Sequence, residues 1–332
     1  MRKWLGVVLI ICFVLMTNGS AFAVGLENDF INTIELIDEP YTYTVLPGTD
    51  AWNKMSLFER RAACCVSRET AMRMTTNALL ETVLNYPFLT DIHAFDSLQY
   101  GIEVVSEDFP ALEVLLSRKD IQLSIERVQE TAVVKATDTK SVLRNLHCNI
   151  FSKMANVYST KETIDARYVS TTVETPNGNE VEVFQNLTWA EYSLLMTGDP
   201  NAYNDTVAAA ICSSYLSQYS SAELIRNSNP KYNCHSYAWH STSASNPYWM
   251  NDPSLYISDE SYTESTYVRN ARVTYTSNGT IHHSGIVTAD ANSASQVTVR
   301  SKWGAFGLFE HNVSDSPYTR NPYYGQIAYW EM

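Results

Sequence analysis

Hydrophobic residues between positions 50 and about 157 recur at the spacing of helix faces. Ser56 and Glu59 have the spacing of a capping box, which predicts that a helix starts just before Leu57. Pro87 ends the strongest run, because proline cannot continue a helix. Residues that repeat with this period are Met72, Leu79, Leu80, Val83, Leu84, Leu112, Leu115, Leu116, Ile121, Ile125, Val128, Val142, Leu146 and Ile150. This part of the chain is therefore predicted to be a small helical domain.

Residues 167–185 alternate between polar and apolar side chains, a pattern that is typical of strands. Asn177 and Gly178 stand between the two alternating runs, where they favour the tight turn of a β-hairpin. Thr188 and Glu191 then form a second capping box ahead of further helical sequence. We therefore expect one hairpin between two stretches of helix.

The pattern changes again after about residue 230, where short apolar strands follow one helix that starts near Asn233. Residues 273–276, 281–288 and 297–303 are bounded by turn residues and predict a three-strand antiparallel meander. A helical part followed by a segment with its helix first and its antiparallel sheet second places the chain in the α+β class.

These changes divide the chain into three parts. Residues 1–23 are predicted to be a signal peptide, because two basic residues precede an apolar stretch and an Ala-Phe-Ala cleavage site. Residues 24–225 are predicted to be a mostly helical N-terminal domain that contains the hairpin, and residues 226–332 a C-terminal domain. We expect a secreted protein, extracellular or associated with the cell wall, without a stable membrane span after signal cleavage.

Composition narrows the class of partner. The 332 residues include 23 Lys and Arg against 36 Asp and Glu, a formal net charge of −13. No run of five or more basic residues occurs, so we expect no nucleic-acid partner. The sequence has no glycine-rich phosphate loop and no C-x-x-C pair, so no cofactor and no metal site are predicted. A metal pair of His282 with His235 or His240 lacks supporting carboxylate or cysteine spacing.

The cysteine count favours a free thiol. Removal of Cys12 with the signal peptide leaves five cysteines, an odd number that cannot all pair within one chain. The five are Cys64, Cys65, Cys148, Cys212 and Cys234. The sequence does not decide whether the first four of them pair.

Cys234 has a chemical reason to remain free. It follows Asn233, a residue suited to cap a helix, and it opens the predicted helix. A helix N-terminus stabilises a thiolate, and the N–H groups of the first turn can receive an oxyanion. These features predict a nucleophilic cysteine, with a half-cystine or an inert buried thiol as the alternative.

His283 is the candidate base for this thiol, because it stands at the start of a predicted strand with small residues beside it. Neighbouring strand residues face opposite sides, so only one of His282 and His283 can face Cys234. His235, next to the thiol in the sequence, is expected at the surface.

A third polar group would orient the imidazole. A hairpin centred near residue 292 places His283 opposite Ser301, which makes Ser301 the first candidate. Lys302 takes this position after a slip of one residue, and His311 on the next predicted strand is the other alternative.

A cysteine at a helix start, followed about fifty residues later by His-Ser-Gly-Ile-Val on a strand, resembles the papain-like cysteine amidases and peptidases of the NlpC and CHAP types. The resemblance covers about residues 230–332. It implies a papain-like domain in which Cys234 attacks an amide of peptidoglycan peptides, His283 is the base and Ser301 orients it. The residues predicted to bind substrate are Asn233, Trp303 and His311.

The sequence thus predicts a secreted bacterial thiol hydrolase that cleaves amide bonds in cell-wall peptides or other peptides. Asn270 and Ala271 stand where the family commonly has a Gly-Asp turn, which favours a first alternative. That alternative is a non-catalytic ligand-binding or adhesion protein of the same fold. The Asn233-Cys234 pair also resembles related acyltransferases, so acyl or crosslink transfer through a thioester is the second alternative.

Overall fold

Helices form the first part of the structure, a computed structural model that describes residues 36–131, 138–157, 170–320 and 326–332. The predicted signal peptide, residues 1–23, lies outside these ranges. The helices are α1 (Asp50–Lys54), α2 (Leu57–Ala63), α3 (Arg68–Arg73), α4 (Thr76–Leu84), a 3₁₀ helix (Leu89–His93), α5 (Leu98–Asp108), α6 (Pro110–Leu116), α7 (Ile121–Thr131) and α8 (Thr139–Val157). The helical character that the sequence predicts for this region is confirmed.

Side-chain caps explain where two of the helices begin. The Ser56 hydroxyl accepts the Glu59 backbone N–H at 3.3 Å, and the Glu59 carboxylate accepts the Ser56 backbone N–H at 2.8 Å. This is the predicted capping box of α2. The second predicted box, at Thr188 and Glu191, is also present and starts α9 (Trp189–Thr197).

Helix α5 approaches the 3₁₀ helix closely at Gly101. A β-carbon built at this position would lie 2.1 Å from the backbone oxygen of Ile92. Because that oxygen belongs to the backbone, it cannot move aside without a shift of the 3₁₀ helix. The same 3₁₀ helix carries the buried polar residues Asp91 and His93, so Gly101 also determines where these groups lie.

Gly101→Ala is therefore expected to lower the free energy of unfolding by about 3 kcal/mol, although alanine is the better helix former. Urea denaturation followed by circular dichroism measures the change. Glu103→Ala, at an exposed position of the same helix, is the matched control and is expected to be nearly neutral. Equal stability of the two variants would contradict the close approach at Gly101.

The predicted hairpin consists of β1 (Ser170–Glu174) and β2 (Glu180–Gln185), which pair antiparallel. Gly178 has a φ of +83°, the left-handed conformation that such a turn requires and that glycine adopts without strain. A third strand, β4 (Tyr248–Met250), pairs with β2 and completes a three-stranded sheet. A strand from beyond residue 226 therefore pairs with the hairpin that precedes it.

The second sheet contains β3 (Glu223–Arg226), β5 (Thr263–Glu264), β6 (Arg272–Ser277), β7 (Thr280–Val287), β8 (Thr298–Lys302), β9 (Leu308–Asn312) and β10 (Gln326–Glu331). These strands lie in the order β3-β9-β8-β7-β6-β10-β5, and each pairs antiparallel with its neighbours. The predicted three-strand meander is confirmed as β6, β7 and β8. The protein belongs to the α+β class.

The remaining α-helices are α10 (Asp205–Gln218) and α11 (Leu255–Ser258). Asn204 caps α10, because its side-chain oxygen accepts the Val207 backbone N–H at 3.0 Å. Within the described ranges, no helix is both long and apolar enough to cross a bilayer.

The largest hydrophobic core continues from the helices into the second sheet. The Trp52 indole N–H donates to the Gln218 backbone oxygen at 2.9 Å, and the Tyr318 hydroxyl donates to the Ala94 backbone oxygen at 2.6 Å. The domain boundary predicted at residues 225–226 falls inside β3, which pairs with β9. The described helical and sheet regions therefore share one core across that boundary.

Candidate functional site

Cys234 opens a short buried helix, residues 234–240, which we call the cysteine helix. Asn233 caps it as the sequence predicts, because its side-chain oxygen accepts the Ser236 backbone N–H at 3.2 Å. The Asn233 amide also donates to the backbone oxygen of Met250 at 2.6 Å, which ties the start of the helix to β4. The last five residues of the cysteine helix are wound as a π-helix, a form that is frequent at functional sites. The Cys234 thiol is free, and the residue is 2% exposed.

His235 is fully buried beside the thiol, not at the surface as the sequence suggested. Its Nδ1 lies 2.8 Å from the Ser284 hydroxyl on β7, and its Nε2 lies 3.7 Å from the Asp96 carboxylate. Burial opposes the charged imidazolium, but attraction to the Cys234 thiolate and to Asp96 outweighs it and raises the pKa of His235 to about 10. Cys234 therefore has a cationic neighbour, which is the kind of partner that stabilises a thiolate.

The predicted base, His283, lies on β7 with its ring stacked on Tyr318, and the two ring centroids are 3.4 Å apart. Ser284 faces the cysteine helix through its contact with His235, so alternation along the strand turns His283 to the other face. Among the described residues, neither ring nitrogen of His283 has a hydrogen-bond partner, so the ring makes no hydrogen bond to Cys234. Burial lowers the pKa of His283 well below its usual range, which keeps the ring neutral near pH 7.

Ser301 does not lie opposite His283, contrary to the predicted register. β7 and β8 pair Ile286 with Arg300, and continuation of this register places Gly285 opposite Ser301. A β-carbon built at Gly285 would lie 3.1 Å from the Ser301 β-carbon, as this pairing requires. The centre of the β7–β8 hairpin lies one residue later than predicted. Each residue of β7 therefore pairs with a β8 residue two positions further along the chain, and that residue lies on the same face of the sheet as the predicted partner.

Ser301 instead interacts with His311. Its hydroxyl lies 2.8 Å from His311 Nε2 and accepts the Trp303 indole N–H at 3.1 Å. His311 Nδ1 lies 2.8 Å from the backbone oxygen of Asn312, which can only accept, so Nδ1 carries the proton and the Ser301 hydroxyl donates to Nε2. Burial lowers the pKa of His311 to about 4, so the ring is neutral at pH 7. These residues form a buried, internally satisfied polar group.

The three residues predicted to bind substrate are all buried in this structure. Asn233 and Trp303 are 0% exposed and His311 is 1% exposed. Trp303 packs in the aromatic core, with ring centroids 4.3 Å from Phe309 and 5.1 Å from Tyr215. All three are therefore shielded from solvent. Trp303 packs in the core, and the polar side-chain atoms of Asn233 and His311 form hydrogen bonds within the protein.

Lys302, the alternative third residue, is also buried. Its ammonium donates to the backbone oxygens of Asn229 at 2.7 Å, Phe306 at 2.9 Å and Gly304 at 3.3 Å. It also lies 4.9 Å from the centre of the Tyr232 ring. Burial lowers the pKa of Lys302 to about 7. Through these hydrogen bonds, Lys302 links the loop between β8 and β9 to the segment that precedes the cysteine helix.

Lys302→Met is expected to lower the free energy of unfolding by about 3 kcal/mol, because it leaves three backbone oxygens without their donor. Guanidinium denaturation monitored by tryptophan fluorescence measures the change. Lys231→Met removes an exposed lysine from the neighbouring segment and serves as the control. If both variants unfold at the wild-type denaturant concentration, the hydrogen bonds of Lys302 do not stabilise the fold as expected.

Sequence reasoning missed Asp96, which comes from the helical part of the chain. It lies in the irregular segment 94–97 between the 3₁₀ helix and α5, far from His235 along the sequence. The one local signal was Ser97, which caps α5 by accepting the Tyr100 backbone N–H at 3.1 Å. That signal marks a helix start and carries no information about a distant histidine.

Comparison of the chain with protein-family models, with curated proteins and with solved structures found no match. The resemblance to papain-like amidases therefore depends on the residues around Cys234 and His283 alone.

A separate cavity, which we call the aromatic cavity, has a volume of about 800 Å³. Tyr41, Tyr43 and Tyr86 line it together with His147, and Cys234 does not. Its lining combines aromatic rings with polar groups, as is common in ligand pockets.

Proposed function

We propose that the chain is an exported, papain-like thiol hydrolase that cleaves amide bonds in cell-wall peptides. The observation that carries this proposal is the grouping of the free Cys234 thiol with the His235 imidazole and the Asp96 carboxylate. A thiolate held beside an imidazolium is the reactive form of cysteine in thiol-dependent enzymes. Export and the choice of peptidoglycan as substrate rest on the leader sequence and on the family resemblance.

The proposed reaction has two steps. The Cys234 thiolate attacks the carbonyl carbon of the amide, the C–N bond breaks, and the amine leaves with the proton of the His235 imidazolium as a thioester forms. Water then attacks the thioester, its proton passes to a base, and the acid product leaves as the thiolate is restored. The predicted base, His283, lies on the other face of β7 and, within the described part of the chain, makes no hydrogen bond to the thiol, so the His235 ring beside Cys234 is the proposed proton carrier in both steps.

Access to the thiol requires a conformational step. Cys234 is 2% exposed and His283 is 0% exposed, so substrate cannot reach either group in the conformation described. Movement of covering segments on substrate binding is common in enzymes and also excludes water from the reaction.

Cleavage of purified muropeptides, followed by chromatography and mass spectrometry, tests the proposal. Cys234→Ala is expected to reduce turnover at least about a thousandfold, because the thioester of the proposed reaction forms on this sulfur. Cys65→Ala removes an exposed free thiol and is expected to leave turnover unchanged. Turnover that survives Cys234→Ala would exclude the thiol mechanism.

A second candidate is a non-catalytic ligand-binding or adhesion protein. The burial of Cys234 and His283 and the presence of the aromatic cavity favour it. In that case wild-type protein and Cys234→Ala would bind wall peptides equally, and neither would release fragments. Isothermal titration with the same muropeptides, combined with the cleavage assay, separates the two candidates.

A further inference from the structure

The two ring nitrogens of His235 differ in their hydrogen bonding. Its Nδ1 lies 2.8 Å from the Ser284 hydroxyl, which also accepts the Trp239 indole N–H at 2.9 Å. Its Nε2 is buried and, among the described residues, has no hydrogen-bond partner. A carboxylate oxygen of Asp96 lies 3.7 Å from this nitrogen. A shift of roughly half an ångström would bring this contact within hydrogen-bond distance.

Asp96 connects this buried ring with the surface. The Asp96 side chain is 33% exposed, whereas the His235 side chain is 0% exposed. The segment that carries Asp96 is held on one side by Tyr318, whose hydroxyl donates to the Ala94 backbone oxygen at 2.6 Å. The carboxylate therefore reaches water on one side while it faces a buried imidazole on the other.

The other titratable groups around His235 do not replace this carboxylate. Cys234 lies next to it on the cysteine helix, and His282 and His283 lie on the neighbouring strand β7. Burial lowers the pKa of both β7 histidines, so they are neutral near pH 7. Within the described residues, Asp96 is thus the carboxylate that can balance a charge on His235.

We propose that Asp96 is a positioning residue of the thiol site, whose carboxylate holds the protonated His235 ring beside the Cys234 thiolate. The proton released by the Cys234 thiol resides on His235. The negative charge of Asp96 stabilises the resulting pair of thiolate and imidazolium. The helical part of the chain therefore completes the site in the sheet part. The use of this arrangement in turnover rests on the proposed hydrolase function, whereas its effect on His235 and Cys234 does not.

Asp96→Asn tests this role, because it removes the charge and retains the size of a partly exposed side chain. The rate of Cys234 alkylation by iodoacetamide is measured between pH 5 and pH 10 by peptide mass spectrometry, with exposed Cys65 as the internal reference. We expect the pH midpoint of alkylation to rise by about one unit, a roughly tenfold loss of rate at pH 6. The pH midpoint of alkylation distinguishes an electrostatic effect from altered access to the thiol. Altered access changes the rate at the high-pH plateau but does not change the midpoint.

A matched control and a second measurement complete the experiment. Glu103→Gln removes an exposed charge from α5 and is expected to leave the midpoint unchanged, and Asp96→Glu is expected to restore much of it. NMR titration of His235 reports the same effect without any reagent reaching the thiol, and Asp96→Asn is expected to lower its proton affinity about tenfold.

An unchanged His235 titration in Asp96→Asn overturns the role of Asp96, whether or not the thiol reacts. If Cys234→Ala abolishes muropeptide turnover and Asp96→Asn changes neither midpoint nor titration, the hydrolase proposal stands and the Asp96 proposal falls. If turnover survives Cys234→Ala while Asp96→Asn shifts the titration, the hydrolase proposal falls and the Asp96 contact stands.

Discussion

Replacement of Asp91 by Asn is expected to lower the free energy of unfolding by about 3–5 kcal/mol. The Asp91 carboxylate is fully buried and accepts hydrogen bonds from Tyr219 at 2.7 Å, from Arg320 at 3.0 Å and from Arg61 at 3.4 Å. Both arginines are buried as well, so loss of the carboxylate leaves two buried cations that share the partly exposed Asp108 carboxylate. The network joins α2, the 3₁₀ helix and the segment before β10, and its loss should weaken the whole unit.

Urea denaturation of wild type and Asp91→Asn measures this effect. The matched control is Glu113→Gln, which breaks the ion pair with Arg68 at 2.6 Å between two side chains that are more than half exposed. Solvent screens such a pair, so we expect no measurable change in the control. A wild-type unfolding midpoint for Asp91→Asn would show that the buried network does not stabilise the fold.

Acidification from pH 7 to pH 5 is expected to destabilise the protein by about 2 kcal/mol for each of two buried histidines. Burial lowers the pKa of His147 to about 3 and that of His311 to about 4, against an ordinary value of 6.5. The unfolded chain therefore takes up protons before the folded chain does. The stability that these rings contribute is complete above pH 6.5 and is lost as the pH falls towards the folded pKa values.

His235 contributes in the opposite direction. Burial acts against its charge, but the Cys234 thiolate and Asp96 raise its pKa to about 10, so its stabilisation is present below pH 6.5 and is lost as the pH rises through about 10. Urea denaturation at pH 5, 7 and 10 separates the two effects. His147→Gln removes one acid-sensitive group and is expected to reduce the difference in stability between pH 5 and pH 7. Equal wild-type stability at pH 5 and pH 7 would contradict the neutral buried histidines.

Local features of the fold were predictable from the sequence, because they depend on residues close together in the chain. The capping boxes at Ser56 and Thr188 each use a partner three residues away, and both form. The Asn177-Gly178 turn and the meander of β6, β7 and β8 follow from alternation and turn residues. The cap at Asn233 and the free thiol of Cys234 were likewise predictable.

Long-range features of the site were not predictable in the same way. The pairing of Ser301 with His311 depends on a hairpin centre that differs by one residue from the predicted one. The burial of His235 depends on Ser284 and Asp96, which reach it from a strand and from the helical part. No periodicity in the sequence records such contacts, because they arise only when the core forms.

The shared core connects the helical part of the chain with the region around Cys234. Tyr318 stacks on His283 and also donates to Ala94, so one side chain joins the strand of the predicted base to the segment that carries Asp96. A destabilised helical region should therefore change the titration of His235 as well as the unfolding midpoint. This link explains why the cysteine-containing region cannot be understood from residues 226–332 alone.

Detection of an acyl-enzyme on Cys234 tests the central claim most directly. Wild-type protein is mixed with a muropeptide, quenched in acid within the first turnovers, digested and analysed by mass spectrometry. We expect the peptide containing Cys234 to gain the mass of the acyl half of the substrate, and neutral hydroxylamine to remove it. Release of cleaved muropeptide with Cys234 unmodified, or no cleavage under any condition in which the thiol can be alkylated, would contradict it.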